Sequence, residues 1–128
     1  MRPLERILVV EDDPDIQTVI ELCLRRFGGY KVQVCGAPQE AVGAAESFGP
    51  DLILLDVMMP GMDGLETLEM LRQTEATARI PVIFMTAKVR PHEIDRYAEL
   101  GALGVVAKPF EPDGLAETVR SLWERAHA

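Results

Sequence analysis

Residues 52–64 read LILLDVMMPGMDG and combine an apolar strand, an acidic strand end and a turn. The four apolar residues 52–55 follow one another without alternation, which is typical of a strand covered on both faces in a parallel sheet. Asp56 ends this run, and Pro60-Gly61 favours a turn because proline presets φ and glycine accepts a positive φ. Asp63 precedes an apolar periodic segment and is a candidate helix N-cap. The stretch therefore predicts that Asp56 lies at the carboxyl end of a strand, where open α/β sheets bind ligands.

The overall composition is that of one globular domain with an acidic surface. The chain has 128 residues, of which 48% are hydrophobic and 27% are charged, and its net charge of −8 disfavours direct contact with nucleic acid or an anionic membrane. No apolar run approaches the roughly 20 residues of a membrane-spanning helix, and the N-terminus lacks the apolar core of a signal peptide. Cys23 and Cys35 lie in apolar patterns, which favours buried thiols over a disulfide or a metal pair. We therefore expect a cytoplasmic protein.

The rest of the chain alternates between strand and helix patterns. Predicted strands cover residues 7–10, 30–35, 52–55, 81–86 and 104–107. The first predicted helix begins at residue 14 and is stopped by Gly28-Gly29. Further predicted helices cover residues 38–48, 65–74 and 91–100, and a last helix ends near residue 125. This alternation predicts a parallel sheet with helices on both faces. We expect a single domain over residues 1–128, with its core between about residues 6 and 125.

Apolar periodicity predicts which helix faces pack on the sheet. Asp13 is the expected cap of the first helix, because proline is preferred at the following position. The residues expected on the buried face of this helix are Ile16, Val19, Ile20, Cys23, Leu24 and Phe27. In the fourth helix, Ile94, Tyr97 and Ala98 are expected to face inward. Both histidines, His92 and His127, are expected to face solvent.

Four of the predicted strands end in residues that carry charge or a hydroxyl group. They are Glu11 and Asp12 after the first strand, Asp56 at the third, Thr86 at the fourth and Lys108 at the fifth. The carboxyl ends of parallel strands share one edge, so these side chains should converge. Two unit charges about 4 Å apart repel by on the order of 4 kcal/mol near a protein surface, so the carboxylates need a raised pKa, a divalent cation or a lysine nearby. Ligands that are all oxygen select Mg²⁺ over zinc.

Such a cluster has the chemistry of a phosphoryl acceptor. Asp56 would be the nucleophile and would form an aspartyl phosphate. Lys108 and the cation would offset charge on the phosphoryl oxygens, and Thr86 would hydrogen-bond one of them.

The strand ends also carry a family resemblance. The motifs are VVEDD at 9–13, LLDVMMPGMDG at 54–64, MTA at 85–87 and AKPF at 107–110. Together they resemble the receiver domain of two-component response regulators, of the CheY-like type, over essentially the whole chain. The resemblance implies a flavodoxin-like fold with strand order 2-1-3-4-5 and a site between strands one and three. It also implies phosphotransfer onto Asp56 from a histidine kinase or a histidine phosphotransfer protein, in a signalling domain that is not an enzyme.

The same resemblance assigns a magnesium site and an output face. Asp12, Asp56 and the backbone carbonyl of Met58 would be direct Mg²⁺ ligands, and Glu11 would act through water. A cis peptide bond is implied before Pro109. Phosphorylation would change the binding of an unidentified output protein through helix four, strand five and helix five. We expect a monomer or a weak dimer, without direct binding to nucleic acid or membrane.

Two departures from the family pattern change the expected mechanism. Receivers often carry Tyr or Phe three residues before the lysine, whereas this chain has Val105, so an aromatic ring at that position cannot turn inward. Residues 101–105 read GALGV where receivers fused to DNA-binding domains often read GADDY, which weakens the case for a transcription factor. We therefore expect the response to phosphorylation to pass through Thr86 and the segment that follows it, residues 87–92.

Two alternatives remain open at the level of sequence. One is a Mg²⁺-dependent hydrolase that uses Asp56, but haloacid-dehalogenase-like phosphatases need an Asp two residues later, where this chain has Met58. The other is a receiver excised from a larger kinase or regulator.

Neither Met58 nor Lys88 offers an acceptor for an attacking water at neutral pH, so we expect a long-lived phosphorylated state.

Overall fold

The structure is a computed structural model that describes residues 3–59, 61–87 and 91–127. Its strands are β1 (Arg6–Val10), β2 (Lys31–Cys35), β3 (Leu52–Asp56), β4 (Val82–Thr86) and β5 (Gly104–Ala107). Its helices are α1 (Pro14–Gly28), α2 (Ala41–Phe48), α3 (Gly64–Gln73), α4 (Pro91–Glu99) and α5 (Pro112–Ala126), with a short 3₁₀ helix (Pro38–Glu40) before α2.

The five strands form one parallel sheet in the order β2-β1-β3-β4-β5, as the family resemblance implied. The register pairs Val10 with Leu55 between β1 and β3, and Asp56 with Met85 between β3 and β4. Thr86 pairs with Ala107 across β4 and β5. The carboxyl ends of these four strands therefore lie side by side at one edge of the sheet.

The sheet separates two hydrophobic cores, which confirms the prediction of helices on both faces. Leu52 and Leu54 of β3 pack with buried residues of α1 and α5 on one face. Ile53 and Leu55 pack with buried residues of α2, α3 and α4 on the other face. Because both faces of β3 are covered, its sequence has no polar alternation.

Polar caps and glycine define the helix ends near the site. The Asp13 side chain accepts hydrogen bonds from the backbone N–H groups of Asp15 and Ile16, and Asp63 accepts one from Glu66. Both residues are therefore N-caps, as expected, and each such cap typically stabilises a helix by about 1 kcal/mol. Gly61 adopts the positive φ, 86°, that the turn prediction assigned to it, whereas Pro60 lies outside the described residues.

Several helix faces differ from the periodicity prediction. Val19 and Phe27 of α1 are 43% and 54% exposed, because only a narrow stripe of this helix, centred on Ile20, Cys23 and Leu24, meets the core. In α4, Ile94 and Ala98 are exposed and only Tyr97 is buried among the described side chains. These predictions were wrong because apolar spacing gives the direction of a buried stripe but not its width.

One histidine prediction was confirmed and the other was wrong. His92 is exposed, as expected. The ring of His127 instead stacks on Trp123, with ring centroids 3.8 Å apart, and its Nδ1 lies 2.8 Å from the Trp123 carbonyl oxygen. Cys23 and Cys35 are free and buried, as predicted. Within the described ranges, none of the helices has the length and apolar character needed to cross a membrane.

Candidate functional site

Lys108 joins two buried carboxylates at the carboxyl edge of the sheet. Its Nζ atom lies 2.8 Å from Oε1 of Glu11 and 3.2 Å from Oδ1 of Asp56. Glu11 follows β1, Asp56 ends β3 and Lys108 follows β5, so the convergence expected from the strand order is present. Both carboxylates are almost completely buried, at 1% and 2% exposure. Burying them without a cation would be very unfavourable, and the lysine provides the compensating charge.

Asp12 adds a third carboxylate to this group. One oxygen each from Glu11, Asp12 and Asp56 lies within 4.8 Å of the other two. Burial raises the pKa of the Asp12 carboxyl, and a hydrogen bond with the Glu11 side chain and the negative charges of Glu11 and Asp13 raise it further. The group therefore holds more negative charge than Lys108 alone balances. Its donors are all carboxylate oxygens, which fits a hard divalent cation such as Mg²⁺.

Lys108 stays charged in this environment. Burial by itself would lower the pKa of its ammonium group. The hydrogen bond to Glu11 and the negative charge of Asp56 outweigh that effect, and the net result is a raised pKa. At neutral pH the group is therefore a fixed positive charge beside Asp56.

Backbone groups hold the carboxylates in place. The N–H of Met58 donates to Oδ1 of Asp56 at 3.1 Å, and the N–H of Asp13 donates to Oε2 of Glu11 at 3.2 Å. Since Lys108 contacts Oε1 of Glu11 and the Asp13 N–H contacts Oε2, both oxygens of this carboxylate have partners within the protein. The side chain of Gln17 also donates to the Glu11 carbonyl oxygen at 2.6 Å, so α1 is tied to the end of β1.

Thr86 lies at the end of β4, next to this acidic group. Its side chain is buried, and its carbonyl oxygen accepts a hydrogen bond from the N–H of Lys108 at 2.9 Å. Ala87, the residue after Thr86, is exposed and has a small side chain. Residues 88–90, including Lys88, lie outside the described residues, so the expectations for Lys88 and for much of the 87–92 segment remain predictions.

Two backbone features lie beside the acidic group, a cis peptide bond that was expected and a close approach of α3 that was not. The peptide bond between Lys108 and Pro109 is cis, as the resemblance implied. Gly64, the first residue of α3, packs so closely that an added Cβ would lie 2.7 Å from the Asp56 carbonyl oxygen. Sequence reasoning placed Gly64 only at a helix start. The Asp-Gly pair was the available signal, since glycine often marks a close backbone approach.

This fold and this charge arrangement define a receiver domain. The sequence model of the response regulator receiver domain matches residues 7–120, and the chain belongs to that family. It is 37% identical over 121 residues to the DNA-binding response regulator MtrA of Mycolicibacterium smegmatis. The match covers 94% of this chain and 51% of that protein, so the chain spans about half the length of the curated relatives it matches.

Solved structures of similar chains agree with this assignment. The chemotaxis protein CheY4 of Vibrio cholerae superposes with a TM-score of 0.84 at 28% identity, covering 94% of this chain and 99% of that one. The receiver domain of the sensor histidine kinase PA1611 of Pseudomonas aeruginosa superposes with a TM-score of 0.77 at 35% identity, covering 95% and 97%. That domain was solved with a magnesium ion coordinated in its active-site cleft. The chain is thus a response regulator receiver domain of two-component signalling.

Proposed function

We propose that this receiver accepts a phosphoryl group on Asp56 from a histidine kinase or a histidine phosphotransfer protein, in a reaction that requires Mg²⁺. The observation that carries the proposal is the position of Lys108, which places a positive charge between Glu11 and Asp56 beside a third carboxylate. A site that binds a phosphoryl anion must first overcome the repulsion of its own carboxylates. One lysine offsets only part of that charge.

The contacts of Asp56 support its role as the nucleophile. Both contacts that its carboxylate receives from the described residues, from Lys108 Nζ and from Met58 N–H, end on Oδ1. Oδ2 is then the oxygen available for attack on the donor phosphorus. The Lys108 ammonium lies 3.2 Å from Asp56, and Thr86 is buried at the end of the neighbouring strand, so both groups would flank the phosphoryl oxygens and stabilise the charge that develops there.

The residues present fit a magnesium ion. Asp12, Asp56 and the backbone carbonyl of Met58 would hold it directly. Glu11 would contribute through water, because both of its oxygens already have partners in the protein. When bound, the ion would neutralise carboxylate and phosphoryl charge. The chain's own part is to hold the ligands in place, through the Met58 and Asp13 backbone groups.

The wider role follows from the same chemistry. The domain would act as a phosphoryl-accepting signalling domain in the cytoplasm, and not as an enzyme that turns over a substrate. Phosphorylation would alter the binding of an output protein through the face formed by α4, β5 and α5. We propose a single domain that is a monomer or weak dimer and has no direct contact with nucleic acid or membrane.

The proposal is tested by incubating the protein with acetyl phosphate and Mg²⁺ and measuring its intact mass. We expect a gain of one phosphoryl group that is lost in Asp56→Asn and in excess EDTA. Asp63→Asn is the matched control, because asparagine also caps helices and the residue lies outside the acidic group. A phosphoryl group that persists in Asp56→Asn, or that forms in EDTA, would show that the assignment is wrong. Asp12→Ala should weaken Mg²⁺ binding far more than Asp13→Ala.

A further inference from the structure

Tyr97 is the main point of attachment of α4. It is 4% exposed and is the one buried residue that α4 contributes among the described residues. Its ring packs against Phe84 of β4 with centroids 5.1 Å apart and the ring planes tilted by 59°. Its carbonyl oxygen accepts a hydrogen bond from Ala102 at 3.0 Å, just after the helix. A helix held largely by one aromatic side chain can shift when the surroundings of that side chain change.

The hydroxyl group of Tyr97 lies beside two polar side chains, Thr86 and Glu93. Burial raises the pKa of the Tyr97 phenol, and the negative charge of Glu93 and hydrogen bonding to Glu93 raise it further, while hydrogen bonding to Thr86 offsets part of the rise. The phenol therefore keeps its proton at neutral pH and can donate a hydrogen bond. Within the described part of the chain, Oε2 of Glu93 is buried and has no hydrogen-bond partner. It is a second acceptor for the phenol, on the same helix.

Val105 explains why Tyr97 can reach this position. Val105 of β5 pairs with Phe84 of β4, so it stands next to the strand residue against which Tyr97 packs. It is half-buried against the same hydrophobic core as Tyr97 and has no polar atom in its side chain. The aromatic hydroxyl group nearest to Thr86 therefore comes from α4 and not from β5.

We propose that Tyr97 couples the phosphorylation site to α4. When the Thr86 hydroxyl turns to a phosphoryl oxygen on Asp56, it leaves the Tyr97 hydroxyl, and Glu93 is the hydrogen-bond partner that remains for the phenol. Because Tyr97 is the buried residue of α4, the helix moves with it. The shift is a change in population, and its extent is set by how much better Thr86 and the phosphoryl group fit the second arrangement. This inference rests on the proposed phosphorylation of Asp56.

The chain has two tyrosines, Tyr30 and Tyr97, which makes a direct test possible. Protein labelled with 3-fluorotyrosine should give two ¹⁹F resonances, assigned with Tyr30→Phe. We expect addition of beryllofluoride and Mg²⁺ to move the Tyr97 resonance and to leave that of Tyr30 in place. In Thr86→Ala the Tyr97 resonance should no longer respond, because its link to the site is gone.

A second measurement follows the helix. Backbone amide shifts of residues 91–100 should change on addition of beryllofluoride in wild type and in Tyr30→Phe. Most of this change should be lost in Tyr97→Phe, which keeps the ring and its contact with Phe84 but lacks the hydroxyl group. An α4 response in Tyr97→Phe equal to that of wild type would overturn the coupling role.

Intact mass after acetyl phosphate treatment separates the two hypotheses. Tyr97→Phe should still gain one phosphoryl group, since Tyr97 does not touch Asp56. A wild-type protein that gains no phosphoryl group would overturn the proposed function, and this inference with it. A phosphorylated wild type whose Tyr97 resonance stays in place would overturn this inference alone.

Discussion

The Nζ atom of Lys108 lies 2.8 Å from Oε1 of Glu11, although 97 positions separate the two residues in the chain. Lys108 follows β5 at one edge of the sheet and Glu11 follows β1, so the two side chains meet across the carboxyl ends of the strands between them, β3 and β4. Asp56 of β3 lies on the way, 3.2 Å from the same atom. The charge balance of the site therefore depends on strands from the first and last quarters of the chain, and it exists only in the folded protein.

This arrangement predicts that Lys108→Met will destabilise the protein in a way that Mg²⁺ corrects. Removing the ammonium group leaves Glu11 and Asp56 buried without their cation, which should lower the free energy of unfolding by about 1–3 kcal/mol. A divalent ion bound to the same carboxylates should reduce the difference in free energy of unfolding between Lys108→Met and wild type. Urea unfolding of both proteins, in EDTA and in saturating Mg²⁺, measures this difference. Lys31→Met, at an exposed position, is the control. The explanation fails if the loss is equally large under both conditions.

The sheet and the site were predictable from sequence because their signals are local. Apolar strands without polar alternation end in a charged or hydroxyl residue. This pattern predicts that Glu11, Asp56, Thr86 and Lys108 lie at one edge of the sheet. The contact between Tyr97 of α4 and Thr86 could not be predicted, because it depends on the position and orientation of the helix relative to the sheet. The stack of His127 on Trp123 depends on where α5 ends, and helix ends are weakly encoded. Close backbone packing at Gly64 likewise appears only in three dimensions.

A second prediction concerns the lifetime of the phosphorylated state. Met58 is 58% exposed, and its N–H donates a hydrogen bond to Asp56. Its side chain is therefore accessible to solvent close to the acceptor carboxylate. A thioether is a weak hydrogen-bond acceptor, and it should not orient an attacking water. Met58→Asn should therefore lose the phosphoryl group several-fold faster, whereas Met58→Leu should behave like wild type. Intact mass at intervals after removal of the donor gives both decay rates. Slower or unchanged decay in Met58→Asn would contradict the prediction.

A third prediction is a loss of stability at alkaline pH that originates in the buried thiols. Burial raises the pKa of Cys23 and, with the charge of Asp113, favours its neutral form. Burial also raises the pKa of Cys35, against a smaller lowering effect of a hydrogen bond from the backbone of Ala37. In the unfolded chain both thiols ionise near pH 8.5, as ordinary cysteines do, whereas the folded protein keeps their protons. The stabilisation is therefore complete below about pH 8.5 and is lost as pH rises toward the folded-state values.

The measurement compares urea unfolding at pH 7.5 and 9.5 in a reducing buffer. Each thiol can contribute up to about 1.4 kcal/mol per pH unit to the decrease in the free energy of unfolding. The Cys23→Ala, Cys35→Ala double variant should be less stable at pH 7.5, because of the cavities, but should lose less stability between the two pH values. Equal losses in wild type and the variant would rule out the thiols as the source.

The last prediction concerns Gly64, where helix α3 begins against the end of β3. Its N–H donates to the Val57 carbonyl oxygen at 2.8 Å, and an added Cβ would lie 2.7 Å from both the Asp56 carbonyl oxygen and the Val57 Cα. These are backbone atoms and cannot rotate away, so either α3 or the Asp56 backbone must move. Gly64→Ala should therefore lower the free energy of unfolding by about 1–3 kcal/mol. It should also slow phosphorylation by acetyl phosphate, because displaced backbone changes the position of the acceptor carboxylate.

Gly43 of α2 provides the matched control, since a Cβ there meets nothing within 4 Å. Gly43→Ala should raise the free energy of unfolding by about 0.5–1 kcal/mol through helix propensity, with no effect on phosphorylation. Urea unfolding and a time course of intact mass give both quantities for the two variants. If Gly64→Ala matched wild type in stability and in rate, the close packing of α3 on the strand end would not constrain Asp56. If Gly64→Ala were less stable than wild type but were phosphorylated at the wild-type rate, α3 would move and the Asp56 carboxylate would not.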